Sequence, residues 1–233
     1  IMGTGIEMGT NPSLTLTNTY SLSILEPSGL TFDKVNNELL TVSDNTAQVY
    51  RISLTGNVLE TFGYSGVDTE GVTFFTPNKV LITEERSREL IEYDYVNDIA
   101  IPHTMSYVND TSGNENNGIE GVSYDPATGT IFFLGENPPV LVHANSSFTV
   151  TNEYPLAYPS DISASYFVEE TGFLWLASHE ESTIYKCNTD GTVINSFPVT
   201  TASGADIPQL EGIAIDYVNQ LLYGVSDPSQ ELF

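Results

Sequence analysis

The sequence predicts an all-β protein: a five-bladed β-propeller of four-stranded antiparallel blades. Three observations predict it. A short phrase recurs five times along the 233 residues. Each recurrence opens the same succession of strands and turns. A spare strand near the N-terminus matches a strand missing near the C-terminus.

The phrase reads Pro27-Ser28-Gly29-Leu30, Thr69-Glu70-Gly71-Val72, Ile119-Glu120-Gly121-Val122, Ile162-Ser163-Ala164-Ser165 and Leu210-Glu211-Gly212-Ile213. Its steps are 42, 50, 43 and 48 residues. Periods of about 40–50 residues mark propeller blades. Blades therefore begin near residues 28, 70, 120, 163 and 211.

After the phrase comes an apolar strand such as "GLTFD", "GVTFF" or "GIAID". A polar turn follows, "KVNNE", "TPNK", "PATG", "EETG" or "YVNQ", rich in the residues that reverse a chain. The second strand is "LLTVSD", "VLITEE", "IFFLGE", "LWLASH" or "LLYGVSD". A third follows in four units ("QVYRISL", "ELIEYDY", "VLVHA", "TIYKC"), and a fourth after another turn, as in "VLETFGY" and "VINSFPV". Hairpin-linked strands in fours make a blade. The fifth unit stops at "QELF", short of its fourth strand, while "SLTLTNTYSLSI" at 13–24 stands spare. That segment is expected to complete the last blade, closing the ring and removing an exposed sheet edge. The alternatives are an open β-solenoid or a pair of sandwiches. The whole chain, 1–233, reads as one propeller domain, with 1–12 as a tag or flexible lead.

Acidic residues outnumber basic ones 31 to 6, a net charge of −25. Phosphates and anionic membrane surfaces would be repelled, so nucleic acid and membrane binding are excluded as functions. Such self-repulsion favours bound cations or a salty extracellular setting. No run is long and apolar enough for a transmembrane helix. Cys187 stands alone in "STIYKC", which rules out an internal disulfide and reads as a buried thiol.

In a propeller the first strand of each blade lines the central channel. The second runs antiparallel, so its end lies beside the start of the first. Two columns then meet at one rim. The inner column is Ser28, Glu70, Glu120, Ser163 and Glu211; the outer column is Asp44, Glu85, Glu136, His179 and Asp227. Seven carboxylates converge, with Arg86 and His179 nearby to offset them. Crowded carboxylates must raise their pKa values or bind a cation. Hard oxygen donors without cysteine point to calcium. The expected ligands are Glu70, Glu120, Glu211, Glu85 and Glu136. Ser28, Asp44, Ser163, His179, Asp227 and Arg86 are expected to stand behind them or to form a separate ligand pocket. Glycine beside each Glu lets neighbouring backbones approach at the crowded axis.

The phrases "EPSGLTFD", "DTEGVTFF", "VLITEERSRELIEYD", "GIEGVSYDPATGTIFFLGEN" and "IPQLEGIAID…LLYGVSDP" resemble the bacterial SdiA-regulated (YjiK-like) family, from about Leu25 to Phe233. The resemblance implies a five-bladed propeller distantly similar to NHL-repeat proteins, with a calcium site marked by Glu70, Glu120 and Glu211. It implies no enzymatic activity. The chain departs from the pattern in unit four, where Ser163-Ala164 and His179 stand.

Two functions follow as expectations. The first is a calcium-binding extracellular module, secreted, periplasmic or cell-surface and part of a longer exported protein. It would act as a monomer in structural or adhesion-related binding of a protein, peptide or glycan. Tyr64, Tyr107, Tyr158 and the loop from Tyr107 to Gly118 are its expected exposed contacts. The second is a calcium-dependent hydrolase of lactones or phosphoesters, resembling six-bladed propeller lactonases, with His179, Glu85 or Glu136 as base. Ser178-His179 is a poor nucleophile–base pair, because successive strand residues face opposite ways.

Overall fold

A computed structural model describes residues 13–108, 110, 118–201 and 203–233. It contains five four-stranded antiparallel sheets, arranged as a five-bladed β-propeller. Blade one comprises Pro27–Asp33, Glu38–Ser43, Gln48–Ile52 and Val58–Thr61; blade two comprises Thr69–Thr76, Lys79–Glu84, Glu89–Asp94 and Ile99–Thr104. Blade three comprises Ile119–Asp125, Thr130–Gly135, Val140–Asn145 and Val150–Pro155; blade four comprises Ala164–Val168, Phe173–Ser178, Thr183–Cys187 and Val193–Pro198. Blade five runs Leu210–Asp216, Leu221–Ser226 and Glu231–Leu232, and Tyr20–Ser21 is its outermost strand.

The N-terminal segment closes the ring as expected, but over less chain. Tyr20 pairs with Leu232 and Ser21 with Glu231, and the Leu22 amide donates to the Gln230 carbonyl at 2.7 Å. The partner strand offers two residues, so only two can pair. Leu22 and Ile24, both buried, then anchor the segment in the core.

The polar turns work as their residues dictate. Asp33 Oδ1 accepts the amides of Val35 and Asn36, at 2.9 and 3.0 Å, and Asn37 takes the left-handed backbone at φ 57°. Asp216 with Gln220, at φ 57°, and Asp125 with Gly129, at φ 72°, repeat the device. Asx side chains that mimic a backbone turn make such reversals local and cheap.

The cores lie between blades. Leu40, Val42 and Val49 of blade one pack with Val80, Ile82 and Ile91 of blade two. Phe132 and Leu141 of blade three pack with Leu174 and Leu176 of blade four. Second strands are therefore covered on both faces, which explains their unbroken apolar runs. Leu39, Leu81 and Leu134 are fully buried, each stabilising by roughly 1.5–3 kcal/mol relative to exposure. Outer strands such as Val58–Thr61 face solvent.

The aromatic contacts expected at the surface are a correction. Tyr64 is 6% exposed and Tyr107 7%. Tyr64 donates to Glu84 at 2.5 Å, and Tyr107 meets Phe133 edge-on at 5.6 Å. Tyr158 is half-buried and donates to the Gly191 carbonyl. These tyrosines lie on connections between blades, where a ring is covered by the blade it leads into. The middle of the Tyr107–Gly118 loop lies outside the described residues.

Candidate metal centre

The recurring Glu-Gly is a β-bulge. The register with the second strand shifts between Ser28 and Leu30, Thr69 and Val72, Ile119 and Val122, and Leu210 and Gly212. A bulge bends the strand and re-aims a side chain. Here it directs the inner column towards the channel mouth. The adjoining glycine is needed for space. A Cβ on Gly71 would stand 2.6 Å from the Glu120 carbonyl oxygen, and one on Gly29 would stand 2.6 Å from that of Glu70. One on Gly121 would meet the Ser165 nitrogen at 2.7 Å. Each inner strand thus leans on the next blade's backbone. Thr83 locks one seam, its hydroxyl donating to the Glu120 carbonyl at 2.6 Å.

The outer column is held by a matching device. The amides of Asp44, Glu85, Glu136 and Asp227 donate to the carbonyls of Glu26, Asp68, Gly118 and Gln209, at 3.1, 2.9, 3.1 and 3.4 Å. Each acceptor stands two residues before the inner-column residue of its blade. In blade four the His179 amide instead donates to the Asp161 carboxylate, at 3.0 Å.

These constraints bring the two columns together. A cavity of about 160 Å³ at this mouth is lined by Ser28, Glu70, Glu120, Ser163 and Glu211 with Asp44, Glu136, His179 and Asp227. Glu85 is buried beside it, accepting the Gly118 amide at 3.0 Å. Beneath, at the glycine level, the channel narrows to a void of about 10 Å³, room for about one water.

Two carboxylate triads emerge. Oxygens of Asp44, Asp68 and Glu70 lie within 4.8 Å of one another, and so do those of Glu85, Glu120 and Glu136. Each triad joins adjacent blades: one and two in the first, two and three in the second. Oxygens opposed across a calcium ion, each about 2.3–2.6 Å from it, stand about 4.6–5.2 Å apart, so the span and the all-oxygen chemistry fit a hard divalent cation.

The electrostatics of the ion-free mouth are strained. Burial, then repulsion from Asp68, pushes Asp44 up to about 6. Burial pushes Glu85 up to about 7, against the stabilising Gly118 amide. Glu70 and Glu120 are raised well above the usual carboxylate range by burial and then by neighbouring carboxylates. Glu136 and Asp227 are raised as well, chiefly by burial.

The blade-four seam is built differently. His179 Nδ1 lies 3.3 Å from Asp161 Oδ2 and 3.4 Å from Glu211 Oε1. The Glu211 carboxylate beside it leads in raising its pKa to about 9. Pairing with the two carboxylates favours the protonated imidazole at neutral pH. Asp161 is also tied to the Ser178 hydroxyl at 2.5 Å. Glu211, expected among the ligands, thus stands against His179 and outside both triads. Ser163 donates to the Leu210 carbonyl at 2.7 Å, a tie between blades four and five. Arg86 pairs with Asp68, Nε to Oδ2 at 3.1 Å. Asp68, Asp161 and Glu26 were not in the expected columns. All three stand two residues before the inner column, an acidic position in three of five units.

His103 and His143 lie away from this mouth. His103 stacks on Phe148 at 3.5 Å, and His143 Nε2 contacts the Thr189 carbonyl at 2.6 Å. Cys187 is fully buried, its thiol raised to about 11 by that burial, as an inert core thiol requires.

Residues 19–233 match the sequence profile described as SdiA-regulated. The chain belongs to the SdiA-regulated family. Among solved structures it is similar to the glutaminyl cyclase of Myxococcus xanthus, at 14% identity and a TM-score of 0.70, over 94% of each chain. It is also similar to a streptogramin B lyase, at 13% identity and a TM-score of 0.54, over 93% of this chain and 72% of that one. A virginiamycin B lyase from Staphylococcus aureus matches at 15% identity and a TM-score of 0.52, over 93% and 73%. At such identities the likeness shows the propeller fold alone. The departure of unit four from the chain's own repeat has a physical content here. His179 brings its own positive charge to a position where blades two and three present carboxylates.

Proposed function

We propose that this member of the SdiA-regulated family is a calcium-binding propeller that serves as an exported binding or structural module. The observation that carries the reading is the pair of triads, Asp44/Asp68/Glu70 and Glu85/Glu120/Glu136, each spanning two blades. A cation in either would neutralise carboxylates that otherwise resist ionisation and would tie neighbouring blades at their narrowest point. Calcium suits the site better than magnesium. The donors sit on separate strands in irregular array, and calcium accepts six to eight oxygens in a flexible shell. The loops around the mouth form the surface that meets a protein, peptide or glycan partner in an adhesion-related setting. The net charge of −25 favours the salt and divalent cations of an extracellular location.

The test is titration calorimetry on chelator-treated protein, with calcium and then magnesium. Calcium is expected to bind, and Glu70→Gln and Glu120→Gln are each expected to weaken it at least about tenfold, about 1.4 kcal/mol. Glu211→Gln should change affinity less, because Glu211 faces His179. Absence of binding heat and of any calcium-dependent rise in Tm would sink the reading.

A further inference from the structure

The far end of the same channel has the opposite chemistry. We propose that it is a binding site for a small molecule without negative charge that carries a planar ring and a hydrogen-bonding group. A cavity of about 520 Å³ opens there, between the inner-strand ends of blades one to four. Ligand pockets typically enclose about 300–1,000 Å³, mostly apolar with a few placed polar groups.

The wall is aromatic. Phe32, Phe74, Phe75 and Phe167 supply its apolar part. Tyr95, Tyr124 and Tyr166 add rings that carry hydroxyls. Phe75 and Tyr124 brace one another edge-on at 4.8 Å, so this part of the wall is preset.

Its hydroxyls are unused. Thr31, Thr73 and Tyr166 are 3%, 7% and 7% exposed, yet their hydroxyls make no hydrogen bond with any described residue. Just inside, the hydroxyls of Ser123 and Ser165 are buried without partners too. Buried polar atoms are almost always partnered, so these two serine hydroxyls require an explanation, while Thr31, Thr73 and Tyr166 stand in the cavity wall with hydroxyls free to meet a ligand. A bound molecule with donors and acceptors supplies that explanation. Tyr166 is the odd member of its ring position. Its counterparts, matched through the second-strand pairing, are Thr31, Thr73, Ser123 and Ala214. The one large side chain at that level carries its hydroxyl into the cavity wall.

The charges argue against an anionic occupant. Asp33 is tied to Arg51 at 3.4 Å and to the Val35 and Asn36 amides. Lys34 pairs with Glu169 and Glu170 at 3.4 and 3.0 Å, joining the turns of blades one and four. These two blades flank blade five in the ring, and no described blade-five residue lines the cavity. The lysine therefore serves as a strap along that side, with its charge already matched. An anionic ligand would find no spare cation, since Lys34 and Arg51 each already face more than one carboxylate, and would lose its hydration.

Saturation-transfer NMR on the protein tests this, with phenol and indole as neutral probes and benzoate as the anionic one. The neutral probes are expected to bind at about 1 mM or tighter, and benzoate at least about tenfold more weakly. Thr73→Phe, which fills the cavity, should abolish the signal. Tyr166→Phe keeps the ring volume and should weaken phenol severalfold, which guards against reading a misfolded variant as a lost site. No neutral binding, equal binding of benzoate, or binding unchanged in both variants would overturn the proposal and leave a water-filled mouth.

Discussion

Two seams of the same ring treat the same problem in opposite ways. Between blades one and two, and between two and three, an outer-column carboxylate meets the inner Glu of the next blade, Asp44 with Glu70 and Glu85 with Glu120. Between blades four and five the outer position is His179, and it meets Glu211 at 3.4 Å. All these residues stand just past the ends of second strands or in the bulges beside them, although the His179 amide is held by the Asp161 carboxylate where Asp44 and Glu85 are held by backbone carbonyls. The side chain at the outer position differs in its charge. One class of seam presents carboxylates alone, whereas the other sets an imidazole between two carboxylates of the chain itself.

The largest test of that contrast is removal of calcium. Saturation at about 100 times Kd stabilises by about 2.7 kcal/mol, or about 5–10 °C in Tm for a domain of this size. Chelation should lower Tm by that amount, and the loss should depend on pH. Asp44 at about 6 and Glu85 at about 7 hold protons more tightly when folded than when unfolded, where carboxylates titrate near 4. Raised carboxylate values destabilise the ion-free fold once the unfolded chain has given up its protons. The ion-free protein should therefore lose stability as pH rises from about 4 to about 7, and His179, raised to about 9, extends the fall towards pH 9. Calcium should remove most of that slope. Thermal melts across this range, with and without chelator, decide it; equal slopes would count against cation binding by these carboxylates.

A smaller effect tests the self-sufficient seam. His179→Gln leaves Asp161 and Glu211 facing one another without the imidazolium, at a cost of about 2 kcal/mol. His179→Asp sharpens the comparison further. It should turn this seam into a third acidic cluster and enlarge the calcium-dependent rise in Tm beyond that of the unmodified chain. A His179→Asp protein with an unchanged calcium response would mean that the seams differ in more than charge.

The sequence made the columns legible because strand periodicity and the repeat fix them together. Glu70, Glu120 and Glu211 occupy one ring position, and Asp44, Glu85 and Glu136 occupy another. What it did not display was pairing across blades. Glu211 carries the same local phrase as Glu70, yet its neighbour is His179 from the preceding blade, a relation of three dimensions. Asp68 and Asp161 escaped for a different reason. Both precede the strand proper, where alternation gives no guide to direction, although a third column drawn two residues earlier would have found them. The aromatic mouth was hidden in plain strand pattern, since Phe32, Phe74 and Tyr124 read as ordinary core residues until the ring placed their ends around one opening.

The smallest predicted effect bears on why the phrase contains glycine at all. Blade four places Ala164 where the others place glycine, so the position is not closed to a methyl group in every seam. The difference lies in the neighbour. A methyl on Gly71 would lie 2.6 Å from the Glu120 carbonyl and 2.9 Å from the Thr83 hydroxyl, groups already bonded to one another. Gly71→Ala must therefore push blade three away and disturb the carboxylates on both sides, at about 1–2 kcal/mol of stability. Ala164, buried in the core of blades four, five and one, already has its space. Ala164→Gly should cost about 0.5–1 kcal/mol, the usual loss for glycine in a strand. Denaturant melts of both variants with calcium present measure the pair. If the two costs were equal, glycine would be there for backbone freedom. If Gly71→Ala is the larger and also weakens calcium binding, close blade approach is what sets the metal centre.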